Sequence, residues 1–205
     1  MIRAEKLSKK FAGRSVFRDL SCSIVPGTIT AIVGPNGSGK TTLLKILAQV
    51  LTPSQGKCEW IQNGEVLKSD HPERLRGFVA PYLELYDDLT AVEHVLLVGR
   101  MKARDISNQD AKSQLIQFGL AEDAIEEKKL LRFFSSGMKQ RVRFAMASIG
   151  SPALLFLDEP TSNLDKQGIE NLFSYLATHQ QTSAIVLATN EPREREIADN
   201  LITLS

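Results

Sequence analysis

The run Gly34-Pro35-Asn36-Gly37-Ser38-Gly39-Lys40-Thr41-Thr42 sets a glycine, four further residues and then Gly-Lys-Thr at the junction of two patterns. Before it lies a β-branched apolar run, Thr28 to Val33. After it, from Thr41 to Val50, Leu43, Leu44, Leu47 and Val50 recur at helical spacing. Strand, glycine-rich turn and helix in that order make an anion site: the glycines let backbone N–H groups converge, and the helix adds the positive end of its dipole. The chemistry is phosphate binding. Lys40 is placed to reach the β- and γ-phosphates of a nucleotide, and the Thr41 hydroxyl to ligate Mg²⁺.

A second pair of residues fits the same chemistry. The apolar run Leu154 to Leu157 leads directly into Asp158-Glu159, which puts two carboxylates at the carboxyl end of a buried strand, the edge where ligands bind in open α/β sheets. Position assigns Asp158 to Mg²⁺, through water, and Glu159 to the water that attacks the γ-phosphate. An acidic pair after a strand is equally a solvated turn or a helix cap when it stands alone; beside a phosphate loop the catalytic reading wins.

Phosphate loops occur in many nucleotidases, and the remaining motifs separate them. Phe134-Ser135-Ser136-Gly137-Met138-Lys139-Gln140-Arg141, followed by Asp158-Glu159-Pro160-Thr161-Ser162-Asn163-Leu164-Asp165, resembles the signature motif, Walker B and D-loop of the ATP-binding cassette (ABC) family, and the resemblance spans nearly the whole chain. It implies that the nucleotide is ATP. It also implies that the signature residues Ser135, Ser136, Gly137 and Met138 form part of the γ-phosphate site of a second copy, so that ATP is sandwiched between two cassettes, and it places Asp165 in the D-loop. Phe11 matches the aromatic that stacks on adenine in the family, although an aromatic in a small sheet is as readily a core residue.

Three positions depart from the family pattern. No glutamine stands between Gln62 and Gln109, and in Phe78 to Thr90 an ungapped comparison puts Pro81 at the place of the family's Q-loop glutamine, with Tyr82 the nearest hydrogen-bonding substitute. The switch histidine is replaced by Asn190, since His179 precedes the strand and reads as an exposed helix-end residue. Asn donates a hydrogen bond to a phosphate oxygen but carries no proton, which implies ATP binding and dimer closure with slow hydrolysis. Met138 replaces the last glutamine of the signature. The Glu- and Gly-rich stretch that some exporters place before the signature is not evident in Glu126 to Phe134, which disfavours the fused multidrug type.

The elements that must hold these residues can be read around them. Alternating segments at Ile2 to Leu7 and Ser15 to Val25, separated by Gly13, predict an antiparallel sheet, and Asn63-Gly64 predicts a type I′ hairpin turn within Lys57 to Leu67. From about Glu73 to Gly150 the pattern is mostly helical, with Thr90 and Ser136 as N-caps. Continuous apolar runs at Ala153 to Leu157, Ala184 to Ala188 and Leu201 to Leu204 predict strands covered on both faces, hence a largely parallel sheet.

Composition narrows the partners. With 205 residues, 42% hydrophobic and 24% charged, the chain has room for one globular α/β domain and is not disordered. A formal net charge of +1 gives no field toward nucleic acid, and no nucleic-acid partner is expected. Cys22 and Cys58 lack any metal-site spacing and fit a reducing cytoplasm. No apolar run is long enough to span a bilayer.

These readings predict an α/β protein: a P-loop NTPase core with a mixed sheet and an N-terminal antiparallel β lobe over 1–72 and 151–205, and an inserted helical lobe over about 73–150. The resemblance implies an ATP- and Mg²⁺-dependent ATPase with two partners, an integral membrane permease subunit and a second ATP-binding cassette. Its place would be cytoplasmic, peripheral on the inner face of the cell membrane. It is similar to the small cassette subunits of simple exporters, including the haem-export type. The alternatives are a soluble cassette ATPase or a nucleotide-sensing regulatory module.

Overall fold

A computed structural model describes residues 1–67, 71–126 and 129–205; part of the Glu126 to Phe134 stretch therefore lies outside the described residues. Strands β1 (Ile2–Phe11) and β2 (Arg14–Ile24) pair antiparallel, as their alternation predicts, and β4 (Gln55–Gln62) pairs antiparallel with the other edge of β1. Asn63 and Gly64 both have positive φ, 52° and 83°. They turn β4 into the short β5 (Glu65–Val66), completing a sheet of order β2-β1-β4-β5.

The second sheet contains β3 (Ile29–Val33), β6 (Arg76–Val79), β7 (Leu154–Asp158), β8 (Ala184–Thr189) and β9 (Asn200–Thr203) in the order β6-β7-β8-β3-β9. All four of its pairings are parallel. The core sheet is thus parallel, not mixed as expected, because the antiparallel pairs are confined to the first sheet. Successive residues of β8 feed opposite cores. Ala184, Val186 and Ala188 face the first sheet and α1 (Lys40–Leu47), whereas Ile185 and Leu187 face the helices. That double covering is why β3, β7 and β8 are buried throughout and apolar but for Thr30, Asp158 and Thr189.

Helices α2 (Ala91–Met101), α3 (Asn108–Gln117), α4 (Glu122–Glu126) and α5 (Ser136–Ala147) follow β6, and α6 (Lys166–His179) and α7 (Pro192–Glu196) follow β7 and β8. Thr90 caps α2 as expected, in a reciprocal pair with Glu93. Two local expectations are corrected. The stretch from Glu73 opens on a 3₁₀ turn and then strand β6, not on a helix. Gly77 brings β6 into backbone contact with the end of α5, where any Cβ would strike the Ala147 carbonyl. The cap of α5 is Ser135, not Ser136: Ser135 Oγ accepts from Met138 N at 3.2 Å, and Ser136 is already helical.

Phe156, fully buried in the middle of β7, joins the two sheets. Its ring lies 6.4 Å from Trp60 of the first sheet and 6.5 Å from Phe78 of β6. Phe156→Ala is expected to lower unfolding free energy by about 3–5 kcal/mol in urea titration, and Phe156→Leu by less than half of that.

Candidate nucleotide site

β3 ends at Val33, the glycine loop follows, and α1 begins at Lys40. The N-cap of α1 is Gly39, left-handed at φ 100°, with no side-chain cap. Thr90, Ser107, Ser135 and Asp165 by contrast cap α2, α3, α5 and α6 with their side chains. The first-turn N–H groups of α1 are therefore the ones offered to a ligand. Close packing fixes the loop from both sides. A Cβ at Gly34 would strike the Leu204 carbonyl, and one at Gly39 would strike Val16 of β2. Lys40 is 7% exposed and donates to the Gly34 and Pro35 carbonyls at 2.9 and 3.1 Å, so its ammonium is held in the mouth of the loop. Ser38 Oγ is buried without a hydrogen-bond partner.

Asp158, the last residue of β7, is 3% exposed and accepts hydrogen bonds from Thr41 and Tyr82. Burial pushes its carboxyl above the usual carboxylate range; the Thr41 hydrogen bond opposes this, and the neighbouring Glu159 charge adds to it. Glu159 is exposed, with φ +45°, and its N–H donates to the Ala188 carbonyl at 2.9 Å. A left-handed glutamate is a strained residue of the sort that concentrates at functional sites. Asn190, just past β8, donates from Nδ2 to Asn36 Oδ1 at 2.5 Å. The structure thus brings Thr41, Asp158 and Asn190 to the loop.

Tyr82 joins them through Asp158. Burial and the Asp158 charge push its phenol far above the usual range, and the Lys45 ammonium sits 4.2 Å above its ring. The sequence named Tyr82 only as the nearest substitute for a missing glutamine; Lys45 carried no signal. Phe11 is half exposed beside the β1–β2 turn, paired with Arg14 and with Lys9 Nζ 4.9 Å from its ring.

A second group lies apart. Ser135, Ser136, Gly137, Met138, Arg141, Asn163 and Asp165 line a cavity of ≈ 380 Å³, and no phosphate-loop residue is among them. Asp165 caps α6 through Gly168 N at 2.8 Å and pairs with Arg141 Nη2 at 2.6 Å, which together hold its carboxyl below the usual range. Gly137 allows the close approach, since a Cβ there would lie 2.6 Å from the Asn163 carbonyl. Sequence reasoning missed three residues that brace this region, Gln140, Arg143 and Glu194. Gln140 shares the buried face of α5 with Phe144, the one pattern that could have flagged it.

The family profile of ABC transporters matches residues 17–162. The chain belongs to the ATP-binding cassette family of ABC transporters. The cassette is 29% identical to the cytochrome c biogenesis ATP-binding export protein CcmA 2 of Cupriavidus metallidurans, over 97% of this chain and 94% of that protein. It is 32% identical to the lipoprotein-releasing system ATP-binding protein LolD of Aquifex aeolicus, over 97% and 90%. It spans 64% of the daunorubicin resistance ATP-binding protein DrrA3 of Streptomyces coeruleorubidus and 22% of ABC transporter A family member 12 of Arabidopsis thaliana. Among solved structures, a bacterial ABC transporter cassette determined as a dimer superimposes with a TM-score of 0.84 at 26% identity, covering 100% of this chain and 94% of that one. No helix among the described residues is long and apolar enough to cross a membrane.

The Lys40 ammonium, held in the mouth of the loop, is the charge expected to meet a nucleotide's phosphates. Lys40→Ala is expected to weaken binding of a fluorescent ATP analogue by about 1.5–3 kcal/mol, roughly 10- to 150-fold, while the protein still melts cooperatively.

Proposed function

We propose that this cassette binds Mg²⁺–ATP at the glycine loop, closes with a second cassette over the nucleotide, hydrolyses it slowly, and so energises a permease in the membrane. One observation carries the reading. A single chain presents both halves of a nucleotide site, the Lys40–Thr41–Asp158 group on one sheet edge and the Ser135–Asp165 cavity elsewhere, so that the halves meet only between two copies. The names of the relatives, which are transport ATP-binding proteins, support the permease; the dimer among the solved relatives supports the pairing.

The residues fit Mg²⁺. Thr41 and Asp158 offer hard oxygen donors already joined to each other, and this ion is commonly held by one or two protein oxygens plus phosphates and waters. Bound there, it would neutralise charge on the β- and γ-phosphates. The chain's own residues do the rest. The N–H groups at the start of α1 and the Lys40 ammonium orient the phosphates, with Gly34 to Thr42 shaping the cradle. Glu159 accepts the proton of the attacking water. Asn190 donates an N–H toward the γ-phosphate, but it has no proton to exchange, which is the cause assigned to slow turnover. Tyr82 takes the glutamine's place through its bond to Asp158, and Phe11 offers a ring face to adenine. Ser135, Ser136 and Gly137 present hydroxyl and N–H donors to the partner's nucleotide, with Met138 beside them giving its own N–H to Ser135 Oγ.

With Glu159→Gln, hydrolysis is expected to stop and ATP to hold a dimer that elutes earlier in size exclusion; a dimer no more stable than that of the wild type removes Glu159 from the role of base. Asn190→His is expected to raise turnover roughly tenfold or more. Cell fractionation tests coupling to transport. The cassette should sediment with membranes through an integral partner, cytoplasmic on its inner face, whereas exclusively soluble protein would favour a cassette ATPase or nucleotide sensor unconnected to transport.

A further inference from the structure

The peptide unit that follows Glu159 by one residue is gripped at both of its polar atoms. The Pro160 carbonyl accepts from Gln140 Nε2 at 3.3 Å, and the Thr161 N–H donates to Glu194 Oε1 at 2.8 Å. Both gripping side chains are fully buried, at 0% exposure. They come from different elements, α5 and α7. The orientation of the Gln140 amide is fixed by its neighbours, because a carbonyl only accepts and the Arg143 guanidinium on its other side only donates, at 3.1 Å to Oε1. Arg143 Nε in turn donates to the Leu83 carbonyl at 2.7 Å, next to Tyr82. The Thr189 hydroxyl accepts from Glu191 N at 2.8 Å and lies beside the Glu194 carboxylate, whose Oε2 is buried without a hydrogen-bond partner. Glu194 thus sits against the end of β8, immediately before Asn190.

A peptide unit is planar, so fixing its carbonyl and its N–H fixes the rotation of the plane. The proline ring fixes φ of Pro160 itself and narrows the conformations open to Glu159 before it. With Pro160 locked and the 160–161 plane clamped, the chain direction leaving Glu159 has little freedom. On the other side of Glu159 its N–H is tied to the Ala188 carbonyl. These restraints hold a glutamate at φ +45°, a conformation that L-residues with side chains rarely adopt.

We infer that Gln140 and Glu194 are positioning residues that clamp the Pro160–Thr161 peptide and so hold Glu159 in its strained conformation, pointed at the nucleotide. The inference rests on the role proposed for Glu159. Arg143 extends the clamp to the segment carrying Tyr82, and Thr189 extends it to Asn190, so three groups at the site share one buried polar support.

The test combines hydrogen exchange with steady-state kinetics on the purified cassette. Glu194→Leu deletes the acceptor at similar volume. It should accelerate amide exchange in peptides covering 159–165 and 189–191 and leave the rest of the protein protected. It should also lower kcat roughly 10- to 100-fold while KM for ATP stays within about threefold. Glu194→Gln keeps Oε1 as acceptor and should restore protection of 159–165 and bring kcat back to within about threefold of wild type. Gln140→Leu releases the carbonyl end of the same peptide and should give the Glu194→Leu pattern at 159–165, which keeps the test open should either variant fold poorly. The clamp is overturned by exchange that accelerates uniformly, by unchanged exchange at 159–165 in both leucine variants, or by Glu194→Gln behaving as Glu194→Leu. It is also overturned by lost protection with unchanged kcat. Glu159→Gln measured alongside identifies the separate failure, since full turnover in that variant removes the role of Glu159 itself.

Discussion

Every residue of the nucleotide-facing group depends on one constraint: five strands run in the same direction. In a parallel sheet all carboxyl ends open on one edge, and each crossover must return over a face before the next strand begins. The glycine loop leaves β3, Tyr82 leaves β6, Asp158 and Glu159 leave β7, and Asn190 leaves β8. Register completes the alignment, pairing Val33 with Thr189, Asp158 with Ala188 and Val79 with Leu157. Neighbouring strands lie about 4.8 Å apart, so groups distant in sequence converge within side-chain reach without any element bending toward them.

Buried polar side chains support this edge. Lys40, Gln140 and Glu194, with half-buried Arg143, bond to backbone carbonyls, a backbone N–H or one another, and only Oε2 of Glu194 is left without a partner among these described groups. Low dielectric strengthens such bonds and makes a missing partner costly. That asymmetry gives the site a defined shape in a way that packing alone does not. Helix ends divide the labour. α1 starts with a left-handed glycine and leaves its N–H groups outward, whereas Ser135 and Asp165 close the starts of α5 and α6 and leave their own polar surfaces to line the second cavity.

The phosphate loop, the Asp158-Glu159 pair, the antiparallel start, the Asn63-Gly64 turn and the buried strands were legible in the sequence because each depends on local chemistry: glycines that tolerate positive φ, runs of β-branched residues, carboxylates where a strand ends. β6 was not. Arg76-Gly77-Phe78-Val79 is short and half polar, because Arg76 leaves the sheet to donate to the Ala48 carbonyl and Gly77 exists to admit the end of α5. The cap of α5 was misplaced by one residue, since two adjacent serines offer the same hydroxyl and only backbone geometry chooses between them. Glu194 was invisible. Between Arg193 and Arg195 a glutamate reads as a solvated charge, and its burial comes from Thr161 and from the packing of α7 on β3 and β8, a tertiary fact with no sequence signal. Tyr82 lies between these cases, since absence of a glutamine pointed to its neighbourhood but only the fold shows Asp158 and Lys45 around it.

The wall of the phosphate loop has a consequence for the order in which the molecule is made. The loop is encoded early in the chain, yet the Leu204 carbonyl packs against Gly34 and Leu204 N–H donates to the Val33 carbonyl at 2.8 Å. β3 itself is flanked only by β8 and β9, both synthesised long after it. On a ribosome, the strand leading into the loop would wait unpaired until β8 and β9 had emerged. Such non-local pairings close large loops and form slowly. Competence to take up nucleotide thus waits on β8 and β9, acquired only when both are in place.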